Sequence, residues 1–458
     1  METICFTQDE KLYIQIYNYF VNEIEAKRIY PGDKLPSMRK LADHIGVSLN
    51  TVKTAYEMLL DEGYIIARER SGYYVDKILS EDFPNLDGSK LHGEILDYRP
   101  TPDKHYKYNF KYSLTDNSKI PISVIQKCAQ AAVAQSIAAV DSPDEGIWEL
   151  RVEIAKYLKE RRAVRISPEN IIVTSGFEEN LFILSSLLEN PIFALESPGY
   201  TRLSLSLSSL GQEYIYIPID SYGFSVKDLE KTSANVVITS PNHQFPSGLI
   251  TGIRRRQRLL NWAKEDKRRF IVEDDYNSDF KYTGRPIPAL KSMDESGSVL
   301  LCGSFSQSIG KFLGISYLVL ADRLKQNAPQ LALQAVSPLL QYTLKEFLAR
   351  GYFEKHLNRM NTFYNRKRRK FLKAVKQEKH VEVFGSDAGL HLIVKLDPAY
   401  YDLEHFEDIM SENAVYAERV SQYAQGPWPD DEIILGFAGI EEDKIEEAVA
   451  YFFRILRK

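Results

Sequence analysis

Over the first 77 residues apolar positions recur at spacings of three and four. Tyr13, Ile16, Phe20, Val21 and Ile24 share one face of a helix predicted from Leu12 to Ala26, and Tyr30-Pro31-Gly32-Asp33 stops it. Ser37 is placed to cap a short second helix, Met38 to Ile45, which Gly46 ends; Ser48 is placed to cap a third, from about Leu49 to Glu62. In the third helix Val52, Ala55, Tyr56 and Leu59 face inward, leaving Asn50, Thr51, Lys53 and Thr54 outward. Two short helices joined by a Gly-containing turn, the second offering small polar and basic side chains at its N-terminal end, have the geometry that enters a major groove. Gly63 to Val75 then predicts two short strands around a turn, a wing.

Beyond Lys77 the periodicity lapses. Residues 78–108 are polar, with Pro84, Pro100 and Pro102, and predict a linker. From 109 to 458 amphipathic helices alternate with short apolar runs at 171–174, 192–196, 215–218, 236–239, 269–273 and 299–302. That alternation predicts an α/β domain with a mainly parallel sheet, divided into a large subdomain of about 109–340 and a C-terminal small subdomain of about 341–458. Ligands of such sheets sit beyond the carboxyl ends of the strands, so the residues that follow these runs are the ones to weigh for chemistry.

Composition changes the picture in two places. The chain has 458 residues, 44% hydrophobic and 26% charged, enough for several cores and too apolar for disorder. Its net charge is −5, and the first 77 residues hold ten Lys plus Arg against twelve Asp plus Glu, a net of −2. A DNA-binding surface here must therefore come from local placement of cations. The start of the chain has no basic and apolar leader, and no run is long enough for a membrane helix, so a cytoplasmic protein without a membrane partner is expected. Cys5, Cys128 and Cys302 share no metal-ligand spacing, which fits a reducing compartment and no bound metal. His243 and His391 have no partner at ligand spacing and are expected as hydrogen-bonded structural residues. The basic runs Arg254-Arg255-Arg256 and Arg366-Lys367-Arg368-Arg369-Lys370 offer surfaces for flanking DNA, although solvated helix faces are the simpler reading.

Lys34-Leu35-Pro36-Ser37-Met38-Arg39-Lys40-Leu41-Ala42, Gly46-Val47-Ser48, Thr51-Val52, Ala55-Tyr56 and Glu62-Gly63-Tyr64 closely resemble the GntR-type winged helix-turn-helix. The resemblance implies that Arg39 and the start of the third helix, with Ser48, Asn50, Thr51 and Thr54, meet base edges of a double-stranded operator. It gives Ser37, Lys53, Arg68 and Gly72 to phosphate or minor groove. The family commonly has Arg after the capping Ser, where this chain has Leu49.

The second part resembles fold-type I aminotransferases, in the form fused to such winged helices in MocR-type regulators. The resemblance rests on Thr174-Ser175-Gly176, Glu196-Ser197-Pro198-Gly199-Tyr200, Pro241 to Gly248, Glu273-Asp274-Asp275-Tyr276, Gly303-Ser304-Phe305-Ser306, Ala388-Gly389-Leu390-His391 and Leu435-Gly436-Phe437, together with the stretch around Leu150-Arg151. It implies a homodimer and a pyridoxal phosphate pocket formed by Gly176, Phe177, Tyr200, Asn242, His243, Asp274, Tyr276, Ser304, Ser306, Gln307 and Lys311. Within it Asp274 would face the ring nitrogen, Tyr276 the ring oxygen, and Tyr200 would act as lid.

Several positions depart from that pattern. The family's Schiff-base lysine aligns with Gln307, whose amide is not nucleophilic, so covalent attachment there is excluded. In the phosphate cup Lys311 replaces a Pro and Gly314 an Arg, while Glu178 brings a negative charge to a helix start that otherwise favours phosphate. Lys311, four residues past Gln307, would lie one helical turn on and supply an amine or a phosphate contact; a solvated or charge-paired lysine is the simpler reading. Ile434 stands where many relatives carry the Arg that pairs with the substrate carboxylate.

A DNA-binding transcription regulator follows, with a non-enzymatic aminotransferase-like domain that dimerises and senses a small-molecule effector. The alternatives are a working pyridoxal phosphate-dependent aminotransferase with an appended DNA-binding module, and a scaffold without a ligand.

Overall fold

The computed structural model describes residues 6, 11–26, 28–68, 71–76, 106–139, 144–277, 279–282, 287–325 and 336–458. They fall into two units, residues 1–103 and 104–458.

In the first unit the helix Leu12–Glu25 buries Ile16, Phe20 and Ile24 against Val52, Ala55, Tyr56 and Leu59 of the helix Leu49–Asp61. Between them runs Met38–Ile45. Its Ser37 cap accepts the Lys40 N–H at 3.3 Å, and Gly46, at φ +69°, ends it in the left-handed conformation that glycine adopts without steric cost. Ser48 caps the next helix by accepting the Thr51 N–H at 3.1 Å. The wing is the antiparallel pair Ile65–Arg68 and Gly72–Val75, in register Ile65 to Val75 and Arg68 to Gly72. Its turn, residues 69–70, lies outside the described residues, as does the expected linker up to residue 105.

The last linker positions belong instead to the second unit. Tyr108–Asn109 pairs in parallel with Val415–Tyr416, and Phe110 is buried beside Phe371 and Phe452. Alternating large apolar residues, too few for a periodicity signal, bind this segment to the C-terminal core.

The second unit is built on an eight-stranded sheet in the order Ile171–Thr174, Ser316–Val319, Val299–Ser304, Phe270–Asp275, Val236–Thr239, Ile192–Ser197, Glu213–Asp220, Gly223–Phe224. The run from Val299–Ser304 to Glu213–Asp220 is parallel; Ser316–Val319 is antiparallel to both neighbours. A four-stranded antiparallel sheet, with Val381–Phe384, His391–Leu396, Glu432–Gly436 and Glu418–Arg419, forms the C-terminal part.

The expected subdomain boundary near 341 is displaced. The helix Pro338–Ala349 packs on Ile122–Ala138 in the core of the large sheet. Within the long helix Tyr352–Val375, Phe353 and Leu357 belong to that core, whereas Met360, Phe363, Tyr364 and Phe371 belong to the C-terminal one. A continuous amphipathic helix serves both cores, so its sequence shows no break. No helix among the described residues is long and apolar enough to cross a membrane.

Candidate functional sites

On the first unit, Arg39, Asn50, Lys53 and Thr54 are exposed, as the outward face of the third helix requires. Several hydroxyls expected at this surface are already engaged. Ser48 Oγ lies 2.7 Å from Thr51 Oγ1, and Thr54 Oγ1 donates to the Asn50 carbonyl at 3.0 Å. These residues shape the helix start; Arg39, the Asn50 amide and Lys53 supply its reach. Lys53 is loosely paired with Glu57 at 3.6 Å, both in solvent. In the wing the Arg68 guanidinium lies 4.4 Å from the Tyr74 ring centroid, and Gly72 takes φ +109°. Leu49, 43% exposed, stands at the first turn of the reading helix.

The second unit holds a cavity of about 390 Å³ at the carboxyl ends of the parallel strands. Of the residues expected there, Gly176, Phe177, Tyr200, Asp274, Tyr276, Ser304, Ser306, Gln307 and Lys311 line it.

Asn242 and His243 do not line it and are corrected to supporting positions. Asn242 is buried, its Oδ1 accepting from Arg256 Nη2 at 2.8 Å. Behind Tyr276, the His243 Nδ1 lies 2.9 Å from its hydroxyl, and Nε2 lies 3.1 Å from the Ala388 carbonyl. Both histidines hydrogen-bond as expected, since His391 Nε2 lies 3.0 Å from the Pro246 carbonyl. Burial holds His243 down to about 3 and His391 to about 4, so both are neutral at physiological pH.

Strand geometry sorts the acidic triplet at the end of Phe270–Asp275. Successive side chains alternate faces, so Asp274 shares the face of Phe270 and Val272 and lines the cavity, while Glu273 and Asp275 turn away. Glu273 accepts the backbone N–H groups of Leu290 and Lys291 at 2.7 and 2.8 Å, and Asp275 pairs with buried Arg162 at 2.6 Å. No donor among the described residues reaches the Asp274 carboxylate. Burial, then the neighbouring Asp275, Glu196 and Glu273, push it up to about 8. Glu196, accepting from Thr239 Oγ1 at 2.6 Å and Gln244 Nε2 at 3.2 Å, is pushed up to about 7 by burial.

The opposite end bears on phosphate. Ser175 precedes the helix Phe177–Leu187, and both its N–H (2.6 Å) and its hydroxyl (2.8 Å) donate to Glu179. Glu178 curls back over the same helix start, so that a Cβ at Gly176 would meet its Oε2 at 3.3 Å; the carboxylate is 3.4 Å from Arg202. The helix beginning at Ser306 stops at Ile309, because Gly310 turns away at φ +95°. Lys311 is therefore not one turn along a continuing helix; it comes to the cavity from the loop beyond, exposed and without an ion pair among the described residues. Gln307 lines the cavity with its Oε1 buried and accepting no hydrogen bond.

Ile434 packs with Phe245, Ile393, Val420 and Tyr423, so an apolar cluster occupies the place of the usual carboxylate-binding Arg. Sequence reasoning missed Tyr112, Glu196, Arg202 and Phe245 as lining residues. Glu196 carried a signal, being at a strand end; Tyr112, from far along the chain, carried none. The basic runs are divided: Arg256 donates to Thr251, Pro241 and Asn242, fully buried Lys367 to the Ala438 carbonyl at 2.6 Å, and Arg368 to the Ser386 carbonyl, whereas Arg254, Arg366 and Arg369 are exposed.

Residues 12–75 match the family of bacterial regulatory proteins called gntR, and residues 111–452 match aminotransferase class I and II. The HTH-type transcriptional regulator YdeL of Bacillus subtilis is 34% identical over 97% of this chain and 96% of its own length. The probable rhizopine catabolism regulatory protein MocR of Rhizobium meliloti is 29% identical over 96% and 93%. A crystal structure of an archaeal alanine:glyoxylate aminotransferase superposes with a TM-score of 0.69 over 76% of this chain and 90% of that one, at 24% identity.

Proposed function

Because the chain belongs to the MocR-type regulators, in which a GntR winged helix is joined to an aminotransferase class I and II domain, we propose that it is a transcription regulator whose second unit senses an effector without catalysing amino transfer. The observation that carries the DNA-binding reading is the exposed start of the helix Leu49–Asp61, with Asn50 and Lys53 on it and Arg39 on the helix before. An Asn amide and an Arg fork are the side chains that pair bidentately with adenine and guanine edges, while Lys53 meets phosphate.

In this reading Ser37 and Ser48 fix the two helix starts, and Thr51, Thr54, Arg68 and Gly72 fill out the contact surface on an operator read by a homodimer. The family's fold implies pyridoxal phosphate. Asp274, Tyr276 and Tyr200 suit its ring, whereas Gln307 offers no amine and the phosphate end is taken by Glu178 and Glu179. Covalent attachment is accordingly not part of the proposed mechanism, and the pocket acts by binding. An effector then works only through unequal affinity for two states of the regulator.

Selection of full-length protein on random duplexes, followed by footprinting, tests the reading. Enrichment of one sequence with paired half-sites is expected; a pool that stays random overturns it.

A further inference from the structure

Two side chains on the cavity lining offer acceptors that meet no donor. Asp274 has no hydrogen-bond partner among the described residues, and the Gln307 Oε1 is a buried acceptor left bare. Both ask for N–H groups from whatever enters, because a buried acceptor without a partner costs free energy that only a donor restores. The walls add the aromatic side chains of Tyr200, Tyr276 and Phe245, a residue type whose ring faces attract a cation. At the far end both donors of Ser175 are already used. Glu179 takes the N–H and hydroxyl of Ser175, and Glu178 lies over the helix start with Arg202 as its counter-ion. Lys311 is the one remaining cation on the lining, and Glu178 is the carboxylate that lines that end.

We propose that this cavity binds a phosphate-free ligand through a protonated nitrogen set against Asp274 and Gln307, and that Glu178 and Glu179 exclude a phosphate-bearing one. The ligand class is an amine or a basic nitrogen heterocycle. This rests on the sensing role given above to the second unit and names what it senses. The setting of Asp274 supports it: burial and the neighbouring carboxylates push it up to about 8, and a cationic nitrogen relieves the same penalty that a proton does.

Pyridoxamine and pyridoxamine 5′-phosphate differ only in the phosphate and serve as probes, titrated calorimetrically into the full-length chain. Pyridoxamine should bind, with its phosphorylated twin weaker by about tenfold or more, the order expected for one like-charge contact at partly exposed groups. Asp274→Asn should weaken pyridoxamine by a similar factor, and Glu178→Gln, a change at an exposed side chain, should narrow the gap between the probes. Equal or tighter binding of the phosphorylated probe, or no pyridoxamine binding at millimolar concentration, overturns the proposal. Neither result touches DNA recognition, which the selection experiment reads separately; equally, a random pool leaves the calorimetry intact.

Discussion

Raising the pH from about 6 to about 8 should destabilise the second unit, and the cause lies in three buried carboxyls, two lining the cavity and one behind it. Glu196 and Glu273 are pushed up to about 7 and Asp274 to about 8, chiefly by burial. In the unfolded chain all three ionise near pH 4. Between that value and the folded one the native state holds protons the unfolded state has shed, so stability falls as pH rises and the loss is complete above the folded value. Each group contributes up to about 1.4 kcal/mol per pH unit in its window. Taken singly, the losses between about pH 6 and about pH 8 add to roughly 5 kcal/mol. That is an upper bound: the groups share one another's repulsion, Asp275 faces them from the same strand, and Asp274 looks into a cavity that water enters. About 2–3 kcal/mol is the working figure. Of the nearby cations, Arg256 offsets part of the charge on Glu273, while Arg202 and Lys311 lie toward solvent.

His243 and His391 are neutral throughout this interval; they destabilise only below about pH 6.5, where the unfolded chain takes up protons that they refuse. Below about pH 6 the two histidines offset the carboxyls, so the decline should be steepest between about pH 6 and about pH 8. Urea unfolding followed by tyrosine and tryptophan fluorescence across this range measures the effect, and Asp274→Asn should flatten the alkaline limb by about 1–2 kcal/mol. Stability that is level or rising from about pH 6 to about pH 8, or an unchanged limb in the variant, would refute the reasoning.

Three substitutions probe other parts of the chain. Gly303→Ala places a Cβ 2.2 Å from the ring of Tyr317, which is 2% exposed and cannot yield, so a loss of at least roughly 1–3 kcal/mol in urea unfolding is expected. Ser48→Ala removes the cap of the reading helix; it should cost about 1 kcal/mol and lower the melting transition of the first unit by roughly 4–8 °C. Leu49→Arg adds a cation at an exposed position of that helix, and the slope of log K against log salt should steepen by about 0.9 for each added phosphate contact. An unchanged slope would mean that position 49 does not face DNA.

What the sequence determined by itself is whatever short-range rules encode. The helix starts at Ser37 and Ser48, the stop at Gly46, the wing and the inward quartet Val52, Ala55, Tyr56 and Leu59 lie within a few residues of their signals, and the structure places them as read. Six of the eight strands of the large sheet were legible as apolar runs, most of them buried on both faces, whereas Ser316–Val319 and Gly223–Phe224 were not read. The strand order was not legible: Ile171–Thr174 lies beside Ser316–Val319, brought there by packing that no local pattern records.

Tertiary structure alone decided the supporting positions of Asn242 and His243 and the path of Lys311, which depends on the left-handed turn at Gly310. It also decided that Lys367 and Arg256, each part of a basic run, are buried on carbonyl oxygens, and that two glutamates fold back on the helix start at Gly176. Caps and periodicity act through bonds formed within a turn or two of the chain, whereas the fate of a charge depends on which distant groups reach it first.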